Sequence, residues 1–266
     1  MKNKTAELIL KDGSIYKGKS FGAQKSISGE VVFATGMVGY PEALTDPSFK
    51  GQILVLTYPL IGNYGVPKKE LWESKKIQVS GLIVCNYIDT PYHYTSQMTL
   101  GSWLKEQNIP ALEIKDTREI TQKLRTKGVM LGKIQFGRKN RKKNISFENP
   151  NLRNLLSEVS TKKIWVSGAG KNTIVLIDCG VKLNIIRRLT VRGLKVVIVP
   201  WNTDVTKLNF PFLGVIISNG PGDPMKAKAT IKNVKKILVK KIPVLGICLG
   251  NQILALACSG TTYKLK

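Results

Sequence analysis

Cys248 stands between Gly246 and Gly250, after the apolar run Ile242-Pro243-Val244-Leu245 and before Asn251-Gln252-Ile253-Leu254. An apolar run, a glycine-flanked bend and a helical apolar pattern read as strand, sharp turn and helix. A thiol at such a turn meets the unpaired N–H groups and positive dipole end of the helix, an arrangement that favours a thiolate nucleophile. The same residues also describe an inert cysteine packed in a strand-to-helix junction, so neighbouring motifs must separate the two readings.

Two further segments carry unusual backbone chemistry. Ser218-Asn219-Gly220-Pro221-Gly222-Asp223-Pro224 follows an apolar stretch, and its glycines let backbone N–H groups approach a ligand that a side chain would hold off. The segment 36–49 holds two glycines and two prolines and ends in Asp46-Pro47-Ser48-Phe49. It is richer in fixed geometry than a plain connection needs, although a structured surface loop explains it too.

The elements that must position these groups differ between the two halves of the chain. Up to about residue 90, short strands with turn signals dominate: a hairpin about Asp12-Gly13, then strands at 30–34, 52–58 and 77–84. Helices follow at 99–106 and from Asp116-Thr117 to Gly128, then a strand at 129–136 and a short helix at 152–159. From residue 173 strands (173–178, 195–200, 214–218) alternate with helices (182–191, 226–240) up to the Cys248 turn. Such βα units make a parallel sheet whose ligands bind beyond the carboxyl ends of its strands. Cys248 and the Gly220–Gly222 loop both fall at that edge. The expected fold is therefore α/β: a mostly β domain over 1–150, then an incomplete parallel α/β domain over 172–266.

Composition removes other classes. At 266 residues, 42% apolar and with mean hydropathy near zero, the chain is long enough for two cored domains. No apolar run approaches the ~20 residues of a membrane span, and no leader is expected before the first strand pattern. The net charge of +25 raises nucleic acid, but the basic residues are scattered and the densest run, 138–143, reads as a solvated connector. No nucleic-acid partner and no membrane are expected. Cys85, Cys179, Cys248 and Cys258 form no metal-spaced pair, so no metal site is expected, and such usage suits a reducing compartment.

Taken together, the Ser218–Pro224 and Gly246–Gln252 segments resemble the class I glutamine amidotransferases. Glu30-Val31-Val32-Phe33, Gly39-Tyr40-Pro41-Glu42-Ala43-Leu44-Thr45-Asp46-Pro47-Ser48, Ile61-Gly62-Asn63, Asp116-Thr117-Arg118 and Asp178-Cys179-Gly180-Val181-Lys182-Leu183-Asn184 narrow the resemblance to the glutaminase part of carbamoyl-phosphate synthetase. It runs from about residue 6 to the last residue, and its wording is closest to eukaryotic forms that begin a longer fused polypeptide.

The resemblance implies that Cys248 attacks the glutamine carboxamide, with Leu249, Gly220 and Gly222 around the oxyanion and Gln252 and Ser48 binding glutamine. The ammonia would pass to a synthetase partner, separate or fused, that makes carbamoyl phosphate from bicarbonate for pyrimidine or arginine synthesis. ATP and magnesium would belong to that partner, with no cofactor in this chain. The cytoplasm is the expected compartment, and an organellar form stays open.

Two departures temper this. The sole histidine, His93, is in the first half, whereas the family's catalytic His and Glu lie downstream of these residues. The chain is thus expected to be a truncated unit, inactive alone, that closes on a strand at 262–266; a non-catalytic regulatory or docking unit is the alternative. Asn251 replaces the family's usual His, as in one vertebrate-type branch, part of which uses free ammonia.

Overall fold

The computed structural model describes residues 5–137 and 145–264, which form two compact units. The first takes the chain up to Thr45 together with Gly51–Pro150; the second takes Asp46–Lys50 and Asn151–Lys264. The basic run at 138–143 lies outside the described residues. Among them, no helix is long and apolar enough to cross a membrane.

The first unit is a closed barrel of seven strands: β1 Thr5–Leu10, β2 Ile15–Ser20, β3 Ile27–Ala34, β4 Gln52–Ile61, β5 Gly81–Tyr87, β6 Ala111–Glu113 and β7 Met130–Phe136. Their order is β1-β2-β6-β5-β4-β3-β7. The β1–β2 hairpin turns at Gly13, whose φ of +90° suits glycine, and Asp12 Oδ1 accepts the Ser14 N–H at 3.0 Å. The run β3-β4-β5-β6 is parallel, and antiparallel pairs with β7 and β2 close the barrel. At the β3–β7 seam Gly29 pairs with Gly132. Leu8, Leu10, Val31, Ile53, Val55, Ile83, Leu112 and Ile134 fill the core, joined by Ile120 and Leu124 of helix α3 (Thr117–Lys127).

Several expectations for this half are corrected. The segment 36–49 is largely helical, not a loop: α1 spans Tyr40–Thr45 and a 3-10 turn spans Pro47–Phe49. The Tyr64 hydroxyl accepts the N–H groups of Gly39 and Tyr40 at 2.7 and 3.1 Å, supplying acceptors that the start of a helix lacks. The expected strand at 77–84 begins only at Gly81. Ile77 and Gln78 give their N–H groups to Gln107 and Leu44 instead of a neighbouring strand. The three-residue β6, too short to show an alternating pattern, was not anticipated. Helix α2 (Leu100–Glu106) starts as expected, capped by Thr99 Oγ1 on the Ser102 N–H.

The second unit is a five-stranded sheet in the order β12-β11-β9-β10-β8: β8 Trp165–Ser167, β9 Asn172–Asp178, β10 Leu194–Pro200, β11 Gly214–Ile217 and β12 Val244–Gly246. All are parallel except β8, an antiparallel edge strand that lies between the two expected domains. Alternate residues of the same strands pack on opposite faces. Val175, Ile177, Val197, Val199, Val215 and Ile217 meet Leu156 of α4 (Leu155–Val159), Val234 and Ile237 of α6 (Lys228–Val239) and Leu249 and Ile253 of α7 (Leu249–Ala257). Leu176, Val196, Ile198 and Ile216 meet Ile186 of α5 (Leu183–Val191). The chain is therefore mixed α/β, a barrel unit followed by a mostly parallel α/β unit. The strand expected at 262–266 is not seen: 261–264 have no regular structure, and the last two residues lie outside the described ones.

Candidate active site

Three loops meet at the carboxyl edge of the second sheet. They follow β9 (Asp178–Lys182), β11 (Ser218–Asp223) and β12 (Ile247–Cys248). Their contacts are so close that glycine is obligatory at several points. A Cβ on Gly250 would stand 2.1 Å from the Ile217 carbonyl oxygen, and one on Gly220 would stand 2.0 Å from that of Cys179. Real Cβ atoms do not approach backbone so closely, so these positions hold the Cys248 turn and the Gly220 loop against the strand ends.

Cys248 is the N-cap of α7 and is exposed. Its φ of +51° and ψ of −109° form a bend that non-glycine residues rarely adopt. The bend is tied from both sides: the Ile247 N–H donates to Ile217 O at 2.9 Å, and the N–H groups of Asn251 and Gln252 donate to Cys248 O at 3.0 and 3.2 Å. Gln252 is exposed in the first turns of α7, and Asn251 is exposed beside it. The Leu249 N–H, at the first helical position, has no acceptor within its own helix. The Leu249 side chain is buried under the loop, where a Gly220 Cβ would come within 2.9 Å of its Cδ2.

Gly222 has φ of +83° and is exposed, whereas Pro221 before it is buried. Asp223 Oδ1 then accepts the Met225 N–H at 2.9 Å and caps the next 3-10 turn. Of the expected residues, Cys248, Leu249, Gln252, Gly220 and Gly222 thus lie in and around two adjoining loops.

Ser48 reaches the same unit through its own short segment. Asn219 Nδ2 donates to Ser48 Oγ at 2.9 Å and to Gly180 O at 3.0 Å, while Asn219 Oδ1 accepts the Lys182 N–H at 3.1 Å. Lys182 Nζ pairs with buried Asp46 Oδ2 at 2.9 Å, and Asp46 Oδ1 accepts the Ser48 N–H at 2.9 Å. Asp46, Lys182 and Asn219 occurred in the quoted motifs, but nothing in their spacing assigned them a task. The available signal was, for Lys182 and Asn219, their position after strands of a parallel sheet, and for Asp46 the Asp-Pro-Ser turn it opens.

Asp178 organises the β9 loop. Its carboxylate accepts N–H groups from Gly180 (2.9 Å), Val181 (2.8 Å) and Thr161 (2.7 Å). Burial pushes its carboxyl above the usual range, and the three donors pull it back. The neighbouring Cys179 is fully buried, its thiol pushed up by burial and then by the Asp178 charge, which marks it as inert. The chain's sole histidine, His93, belongs to the first unit, with its Nδ1 2.7 Å from Thr95 Oγ1 and its ring edge-on to Tyr64.

Comparison with known proteins places this architecture. Residues 8–134 match the family described as carbamoyl-phosphate synthase small chain, CPSase domain, and residues 175–266 match glutamine amidotransferase class-I. The chain is 49% identical to multifunctional protein CAD of Squalus acanthias, over 98% of this chain and 12% of that protein. It is 47% identical to mitochondrial carbamoyl-phosphate synthase [ammonia] of Mus musculus, over 100% of this chain and 18% of that one. Against the carbamoyl phosphate synthase arginine-specific small chain of Neurospora crassa it is 44% identical, over 98% and 60%. It thus spans less than a fifth of the first two relatives' length. With its barrel unit matching the one description and its parallel α/β unit the other, the chain belongs to the carbamoyl-phosphate synthase small-chain family and carries a class I glutamine amidotransferase domain.

Proposed function

We propose that this chain is the glutamine-hydrolysing unit of a carbamoyl-phosphate synthetase. The observation that carries the reading is the meeting of the strained Cys248 turn, the Gly220–Gly222 loop and the Asn219-held Ser48 in one unit. The Cys248 thiolate attacks the side-chain carboxamide carbon of glutamine. The resulting oxyanion faces the Leu249 N–H and the backbone of the glycine loop, where loss of one donor typically costs about 10²-fold or more in rate. Collapse breaks the C–N bond; the nitrogen takes a proton and leaves as ammonia, and the γ-glutamyl thioester remains. Water then releases glutamate and restores the thiol.

The thiol proton needs an acceptor, which in this reading comes from a His/Glu pair C-terminal to the residues described. Ammonia passes to a synthetase partner, separate or fused, that supplies ATP chemistry in pyrimidine or arginine synthesis. The names of the relatives, which include an arginine-specific small chain and multifunctional proteins, support that setting. The test is glutamine-dependent ammonia release by the full-length protein, with Cys248→Ala as control. Release that survives this substitution overturns the proposal.

A second reading has its own support: relatives named carbamoyl-phosphate synthase [ammonia] match the whole chain, and by the resemblance Asn251 stands where the family usually has histidine. In it the unit docks or regulates, and the synthetase takes free ammonia. Carbamoyl phosphate formation that responds to ammonia but not to glutamine would select it.

A further inference from the structure

The Ser48 hydroxyl has one proton and two lone pairs, and which of these faces a ligand decides what it recognises. The backbone N–H of Ser48 is already engaged by Asp46 Oδ1 at 2.9 Å. The side-chain amide of Asn219, 2.9 Å from the hydroxyl, has its orientation forced by two other partners. One is the Lys182 N–H, which can only donate, so Oδ1 must face it; the other is the Gly180 carbonyl, which can only accept, so Nδ2 must face that. Nδ2 carries two protons. One goes to Gly180 O and the other to Ser48 Oγ, with Asp46 Oδ1 a more distant acceptor at 3.5 Å. Ser48 Oγ is therefore an acceptor toward Asn219, and its own O–H is directed elsewhere; among the described residues it donates to none.

We infer that Asn219 is a positioning residue that fixes Ser48 as a hydrogen-bond donor toward an oxygen acceptor of the bound substrate. This rests on the glutamine reading above, whose substrate offers a carboxylate and an amide carbonyl as acceptors. An unconstrained hydroxyl would turn between donor and acceptor states. Asn219 occupies one of the two lone pairs, which turns the proton away from the amide and leaves it for an oxygen acceptor of the substrate. The Lys182–Asp46 ion pair adds a second tie on the same short segment, holding Ser48 in reach of Asn219.

The experiment uses the full-length protein and labels Cys248 with a glutamine-like chloroketone, measuring the glutamine concentration that gives half protection. Asn219→Asp keeps an oxygen for the Lys182 N–H but places an acceptor at Ser48, which turns the O–H away from substrate. Half protection is expected to need about tenfold more glutamine or beyond, as in Ser48→Ala, because a hydrogen bond to a charged group is lost in both. The double variant should be no worse than either single one. Alkylation of Cys248 by iodoacetamide, which needs no glutamine recognition, should proceed at the unaltered rate throughout. If Asn219→Asp does not fold, Asn219→Ala combined with Ser48→Ala carries the same test, and additive effects overturn the inference. Equal protection in Asn219→Asp overturns the inference alone. Failure of glutamine to protect the unaltered protein overturns both it and the glutamine reading.

Discussion

Gly250 and Ile217 are in backbone contact: a Cβ on the glycine would stand 2.1 Å from the Ile217 carbonyl oxygen. The start of α7 therefore rests directly on the end of β11, and the Cys248 turn inherits its position from the sheet. Gly250→Ala should cost about 1–3 kcal/mol of stability, since backbone has to shift to admit the methyl group. It should also slow labelling of Cys248 by a glutamine-like chloroketone. Urea unfolding and labelling rates check the two effects; an unchanged urea midpoint would show that the loop yields without strain.

Cys248 holds φ of +51° at no evident benefit to folding. Cys248→Gly should raise stability by about 1 kcal/mol, because glycine relieves this backbone strain, while glutamine-dependent ammonia release disappears. Cys248→Ala should abolish release without the gain. Thermal unfolding of the two variants side by side separates strain from chemistry.

Among the described residues, Asp178 is the sole acceptor for three backbone N–H groups, from Gly180, Val181 and Thr161. Asp178→Ala leaves those donors without partners, each costing about 1–3 kcal/mol where burial is complete. A loss of about 3 kcal/mol or more is expected in urea unfolding, with the loop carrying Lys182 released.

Asp204 pairs with Lys236 at 2.5 Å and also accepts from Thr206, and these bonds hold its carboxyl down to about 2, below the ordinary 3.8. Its stabilising contribution is complete above the ordinary value and is lost as pH falls through about 2. Lys236 is nearly half exposed, so the pair is worth at most about 1 kcal/mol. Lys236→Met should move the Asp204 titration, followed by NMR, back up toward 3.8.

His93 is exposed in the first unit and makes its side-chain contacts with Thr95, Tyr64 and Tyr94. His93→Ala should leave Cys248 labelling and any glutamine-dependent ammonia release unchanged. A large loss of ammonia release with normal folding would make His93 the proton acceptor and redraw the site.

The sequence by itself determined what rests on local chemistry. Asp12-Gly13 turns a hairpin because glycine admits positive φ. Thr99 caps a helix because its hydroxyl reaches the Ser102 N–H, and the spacing of Gly246, Cys248 and Gly250 builds a strand-to-helix bend. The apolar runs of β9, β10 and β11 announced a sheet buried on both faces, since no polar face was left to give water. Only the tertiary structure decided what rests on distant pairings. The barrel closes where β3 meets β7, about a hundred residues on, and β6 and β8 exist as strands because neighbours supply their hydrogen bonds, not because their own three residues prefer to extend. The tie between Ser48 and Asn219 spans 171 residues. An asparagine amide shows its orientation only when its partners are known, so neither residue's spacing could reveal that one sets the proton of the other.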